Sequence, residues 1–431
     1  MELREKQNFR WSATFLSVVL TAFFLLNLPV TFVDRLQEHW YLGIPFERLK
    51  TGAFWVDRDD PFPENAPHLM YLLAKLTYAT GSLLSVRLAQ WPWSLLAMVA
   101  LWAVLHKLTG FLRGSRFDVL GMSLLVLFFW ISLPLGFVYP VQTNGMMAGF
   151  VCLALGLLVL RERPAAAMLL FGFAYAHKAQ FIMFFPCVIA YRLVLDYPGR
   201  MLGRHLARTA RDTVLLFVPA AVILPLFLAA CGAFRSAHDF FGYATEGPLL
   251  LWRQVAAVLG KFTGAPPANP LANTFRLQTL TAELASYSKL VYMHIYLSAG
   301  LGIAGLAWTL RGRLPAWWGG KVRAEPPPEL ALLSVMTCVA WITYFRFNMY
   351  PYCYNMLPIL PFNALVVPYV FWRLRGVVPG AWFARGGYAL ALIFLVVLGY
   401  RYGRNFAALP RGDALEPYYW MRQGKSWTSD R

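Results

Sequence analysis

Apolar residues fill long stretches of this chain, and polar residues collect in the segments between them. A membrane span takes roughly 17–25 mostly apolar residues. That criterion predicts spans over 11–33, 88–107, 118–139, 143–160, 213–233, 287–310, 329–346, 353–372 and 388–404. The apolar stretch 164–195 is too long for one helix and carries His177-Lys178 in its middle. It divides into two short spans, 164–177 and 180–195, turning at Lys178, which brings the total to eleven. The run from Trp11 to Val33 exceeds the apolar core of a signal peptide, and no small-residue cleavage site follows it. It reads as a first span kept in the mature protein.

Loop charge tests this threading, because cytoplasmic loops retain Lys and Arg. With the N-terminus inside, the cytoplasmic segments are 1–10, 108–117, 161–163, 196–212, 311–328 and 373–387, and each is short and basic. Without the turn at Lys178, every later loop would change sides and the basic loops would fall outside. Three segments remain on the outer face: 34–87, 234–286 and the tail 405–431. The first holds two expected interfacial helices, Arg35 to Leu49 and Pro67 to Ser85. The second, with "TGAPPANP" at 263–270, reads as a loop, and "AEPPPE" at 324–329 reads as a short cytoplasmic linker.

Composition agrees: 58% of residues are hydrophobic and only 14% charged, against about a quarter charged in soluble domains. The expected fold is an all-α polytopic membrane protein of about eleven transmembrane helices, a single domain over 1–431. The net charge of +18 is spread over short loops, so it points to membrane lipids and sidedness, not to nucleic acid. Cys152, Cys187, Cys231, Cys338 and Cys353 lie in or beside apolar segments with no CxxC and no Cys/His cluster. They read as small buried side chains.

Charge is unevenly placed. Seven of the 21 acidic residues fall between Asp34 and Glu64, on the outer side just after the first span. Glu38, Glu47 and Asp60 read as solvated loop carboxylates. Asp34 stands at the end of the span, where a carboxylate faces the bundle, and ionisable groups there mark functional sites.

The segment "VDRLQEHWYLGIPFERLKTGAFWVDRDDPFPENAPHLMYLLAKLTYATG" resembles the first outer loop of the GT-C glycosyltransferases that use polyprenyl-phosphate sugars. The matching features are Asp34 after the first span, a helix up to Thr51-Gly52, the acid-rich stretch Asp57 to Glu64 and the helix start "APHLMYLLAKL". The lipid A aminoarabinose transferases share this layout. A second stretch, 141–193, resembles the GT87-type branch through Gln142-X-Asn144, a long apolar helix, an Arg-rich turn, a Gly-containing short helix, Lys178 and a following Pro. Together they cover about a quarter of the chain. Arg35 stands where many relatives have a second acid, and Glu64-Asn65-Ala66-Pro67 stands where the aminoarabinose enzymes have Glu-Lys-Pro-Pro. The resemblance therefore carries the superfamily's reaction and not that sugar.

What it implies is transfer of a sugar from a polyprenyl-phosphate carrier to a lipid or glycan acceptor, on the outer face of a bacterial inner membrane. Asp34 is the candidate general base for the acceptor hydroxyl. The leaving phosphate needs cationic partners, and Lys178 is the first candidate. A snorkelling interfacial lysine is the competing account of that residue. His177 either binds phosphate or ends the turn, and Arg346 either contacts substrate or anchors its span. Gln142 and Asn144 are candidate sugar ligands, although Asn144 also suits a helix cap. Glu64 and His68 are candidates for the mouth of the site. Asp57 and Asp59 form an Asp-X-Asp that can hold a divalent cation, but a monophosphate donor does not require one, and no cofactor is expected. Two other classes share the polytopic form. A transporter or lipid flippase would show repeats with broken spans in matching halves. An O-antigen-type polymerase or ligase would draw on Arg235, His238, Arg253 and Arg276 of the large outer loop.

Overall fold

A computed structural model describes residues 84–109, 140–195, 202–234 and 236–242, with single positions at 14, 17, 72, 75–76, 79–80, 332, 335–336, 389 and 396. The chain divides into two compact units. One comprises Met1–Leu26, Leu105–Val138 and Asn269–Arg431, the other Asn27–Val104 and Tyr139–Ala268. Nearly all described residues belong to the second unit, and their regular structure is helical throughout.

Helix α1 spans Leu84–Thr109 and contains the expected 88–107, with Pro92 inside it. Ala97, Ala100, Leu101 and Val104 are buried at helical spacing, while Leu88, Leu96 and Val99 face outward. Helix α2, Pro140–Val159, and helix α3, Pro164–His177, fall close to the expected 143–160 and on the expected 164–177. They form a hairpin. The Arg163 amide donates to the Val159 carbonyl at 2.7 Å, and Pro164 opens α3, where a missing N–H costs nothing.

Small residues let these helices approach. A Cβ on Gly149 would come 2.6 Å from the Phe181 ring, and one on Gly156, two turns on, 2.6 Å from the Phe171 ring. At Gly172 of α3 a Cβ would collide with the Leu216 carbonyl oxygen and lie 2.8 and 2.9 Å from the Pro219 ring carbons. Close backbone contact through small residues is the packing mode expected in lipid, where apolar burial between helices adds little. Gly172→Ala is expected to cost about 1–3 kcal/mol of stability, because a carbonyl oxygen cannot step aside as a side chain can. Thermal unfolding in detergent checks it, and an unchanged midpoint would argue against this backbone contact.

The turn at Lys178 is present. Lys178 is extended, with φ −151° and ψ 116°. Tyr175 and Phe185 have ring centroids 5.5 Å apart, whereas ten residues of continuous helix would separate them by about 15 Å. The returning segment is helical over the expected residues but not uniformly α. It runs as a 3-10 turn Ala179–Phe184, a short helix α4, Phe185–Ala190, and a π-helical turn Tyr191–Leu195. Pro186 lacks the N–H that a regular helix would use at that point, so α4 can begin only beside it.

The segment that follows departs from expectation. Helix α5 spans Leu202–Val218, so most of the loop expected over 196–212 is helical, and the span expected at 213–233 begins eleven residues earlier. His205, Thr209, Asp212 and Leu216 are its buried stripe. The helix was hidden from a hydropathy criterion because Arg204, Arg208 and Arg211 occupy its exposed side. A π-helical turn at Pro219–Ile223 joins α5 to helix α6, Leu224–Ala230, with the Leu224 amide donating to the Pro219 carbonyl. Gly232, at φ +72°, ends α6, and the Ala233 amide reaches back to the Leu228 carbonyl at 2.9 Å. Beyond it, Ser236 and Asp239 cap each other's amides at 3.1 and 3.2 Å and start a helix over 237–242. The segment 234–286, expected as a loop, therefore opens with a helix.

Among the described residues, Leu202–Ala230 is the one helical run long and apolar enough to cross a membrane. Only 28% of its most apolar stretch is buried. Val214, Val222, Ile223, Leu226 and Phe227 are exposed. A core helix of a soluble protein would cover such residues, whereas hydrocarbon solvates them at no cost. Cys187 is buried and Cys152 and Cys231 are partly so, and none of the three forms a disulfide.

Candidate functional site

Lys178 is the residue where two helical segments meet. Its amide donates to the Ala174 carbonyl at 3.1 Å, closing α3, and its carbonyl accepts from the Phe181 amide at 3.0 Å, opening the 3-10 turn. The side chain is only 5% exposed. Depth follows from ring contacts: Tyr175 meets Phe185, and Phe185 meets Phe217 at 5.4 Å. Gly172 packs beside Leu216 and Pro219, so the Lys178 turn, six residues on, rises about 9 Å past that level toward the end of α6 at Ala230. A lysine buried at that depth is costly unless a polar or anionic partner meets its ammonium.

His177 closes α3, half-buried, with its ring 6.2 Å from that of Trp93 at a 53° tilt. The turn is thus packed against α1 next to Pro92. Gln142 and Asn144 lie in the first turns of α2. Because Gly156 of α2 faces Phe171 and Gly149 faces Ala174, α2 runs antiparallel to α3 and its first turns lie at the same end of the unit as Lys178. Lys75 reaches this end as well: its Nζ donates to the Cys231 carbonyl at 3.2 Å and caps the C-terminus of α6. That contact brings Lys75 to the end of α6. Asp34, Asp57, Asp59, Glu64, His68 and Arg346 lie outside the described residues. So do Arg235, Arg253 and Arg276, while His238 is exposed on the helix over 237–242.

A second polar cluster lies toward the opposite end and was not singled out from the sequence. Asp212 is 1% exposed. Its Oδ2 accepts from Arg192 Nη2 at 2.8 Å, and its Oδ1 accepts from Arg211 Nη2 at 2.8 Å and Nε at 3.1 Å. His205 Nε2 lies 3.3 Å from the Leu193 carbonyl. These contacts hold the end of the returning segment against α5. The signal was available: Asp212 follows His205 and Thr209 at one-turn spacing, and Arg192 interrupts an apolar segment.

No family model matches this chain, and no curated protein does. A crystal structure of ArnT from Cupriavidus metallidurans bound to undecaprenyl phosphate is similar at a TM-score of 0.47 and 15% identity, over 94% of this chain and 73% of that one. That likeness assigns the chain to no family.

Proposed function

We propose that the protein is an integral-membrane glycosyltransferase that moves a sugar from a polyprenyl-phosphate carrier to a lipid or glycan acceptor at the outer face of a bacterial inner membrane. The observation that carries this function is the position of Lys178: a buried lysine at the break between two short apolar helical segments, at the same end of the unit as the first turns of α2. Its end of the unit also receives residues 142–144 and the Lys75 stretch. Support of another kind comes from the first outer loop, whose order of aspartate, helix, acid-rich stretch and apolar helix resembles that of GT-C enzymes.

In this mechanism Asp34 takes the acceptor hydroxyl's proton as the oxygen attacks the anomeric carbon. The glycosidic bond to phosphate breaks with its electrons passing to the phosphate oxygen. Lys178 stabilises the charge that develops there. Positioning of the donor falls to Lys178 together with His177, Gln142, Asn144 and Arg346. The acids Asp57, Asp59 and Glu64, with His68, lie toward the acceptor side.

Lys178→Gln is the test. Loss of one charge-assisted bond to phosphate is expected to raise the donor KM about 10- to 100-fold in assays of purified protein with a labelled polyprenyl-phosphate sugar. A folded variant with the wild-type KM would remove Lys178 from the site. Movement of the lipid across liposomes without a covalent product would place the chain among transporters instead.

A further inference from the structure

The first turns of α5 present two stripes. His205, Thr209 and Asp212 are buried. Arg204, Arg208 and Arg211 form an exposed basic stripe. Farther along the same helical run Val214, Val222 and Leu226, at 62%, 48% and 55% exposure, are exposed apolar side chains. The turn between α2 and α3 adds exposed Arg161 and Arg163. Both groups belong to one end of the unit. Phe185 meets Phe217 and Arg192 meets Asp212, so the returning segment is antiparallel to α5. Helix α3 is therefore parallel to α5, and with Gly172 beside Leu216 and Pro219, the start of α3 lies level with the first turns of α5. At this end the acids among the described residues are Glu162 and Asp212, and Asp212 is engaged by Arg192 and Arg211.

We propose that this end of the unit docks on the anionic phospholipids of its own leaflet, with Arg204, Arg208, Arg161 and Arg163 meeting headgroup phosphates and Val214 and Val222 meeting the lipid below them. Charge complementarity selects the anion. The apolar side chains farther along the helix select its source, because a soluble phosphate would leave Val214, Val222 and Leu226 in water. Arginine presents a planar fork that can take two phosphate oxygens at once, which suits a headgroup held in place. The inference rests on the membrane placement of the chain but not on the transfer reaction.

The test uses full-length protein in nanodiscs of phosphatidylcholine with a minor share of phosphatidylglycerol, and reads the lipids retained by native mass spectrometry. Wild-type protein is expected to retain phosphatidylglycerol preferentially. Arg204→Gln with Arg208→Gln, which leaves the Asp212 pairs intact, is expected to lower that preference about 25-fold, taking roughly fivefold for each arginine at a membrane surface. Adding Arg161→Gln and Arg163→Gln should abolish it. Equal retention of the two lipids by wild-type protein would overturn the proposal, as would a full preference in the double variant with an unchanged unfolding midpoint. Displacement by soluble glycerol phosphate would show a soluble-anion site and overturn it too. Protein released from membranes by alkaline carbonate would remove the membrane placement along with it. Lost transfer activity with the lipid preference intact would remove only the reaction.

Discussion

Asp34→Asn is expected to reduce sugar transfer by about 10²- to 10⁴-fold while donor binding and folding persist. The amide has the size of the carboxylate and keeps hydrogen-bonding capacity, but it cannot accept the proton that the acceptor hydroxyl loses. The loss should fall on kcat and not on the donor KM, which separates this residue from Lys178. Asp34→Glu should recover part of the rate, since it restores the base at a displaced position. A folded Asn variant that turns over at the wild-type rate would assign the base to another residue, and Glu64 or the Asp57–Asp59 pair would be the next to test.

Asp212→Ala is expected to destabilise the protein by about 3–5 kcal/mol, because it leaves the buried Arg192 guanidinium without its carboxylate. Arg211 is mostly exposed and can turn to water, so the cost falls on Arg192. Replacing both buried partners, Asp212→Leu with Arg192→Met, should recover most of the loss, since an apolar pair of similar volume avoids the desolvation that the ions suffer. Unfolding midpoints of the single and double variants in detergent measure this. Equal damage in the two would mean that shape, and not the ion pair, holds the returning segment to α5.

The helices most legible in the sequence were those whose residues are apolar all round. The bounds of α3 and the break at Lys178 follow from length and one polar dipeptide: the thirteen apolar residues 164–176 cannot continue through a His-Lys pair into the sixteen of 180–195 as one span. α1 and α2 were found for the same reason, with ends displaced by a few residues. Hydropathy failed where a helix is amphipathic. The first turns of α5 carry three arginines on one side and were read as loop, although the 205–209–212–216 spacing marks a helix with one covered face. Hydropathy also missed the helix at 237–242, whose start is set by the Ser236–Asp239 capping pair and not by apolar content.

For the site, the sequence marked Lys178 through its cost: a charge inside an apolar stretch needs a reason. Local pattern could not reveal that the lysine is covered, or that its turn rises past the level of Leu216 and Pro219 toward the end of α6. Nor could it pair Arg192 with Asp212, twenty residues away. By itself the sequence determined where the chain is apolar enough to leave water and where it must turn, because those depend on each segment's own transfer energy. Which faces of the segments are covered, how closely α3 approaches α5 at Gly172, and which charges meet were decided by the tertiary structure alone, because they depend on neighbours distant in the chain.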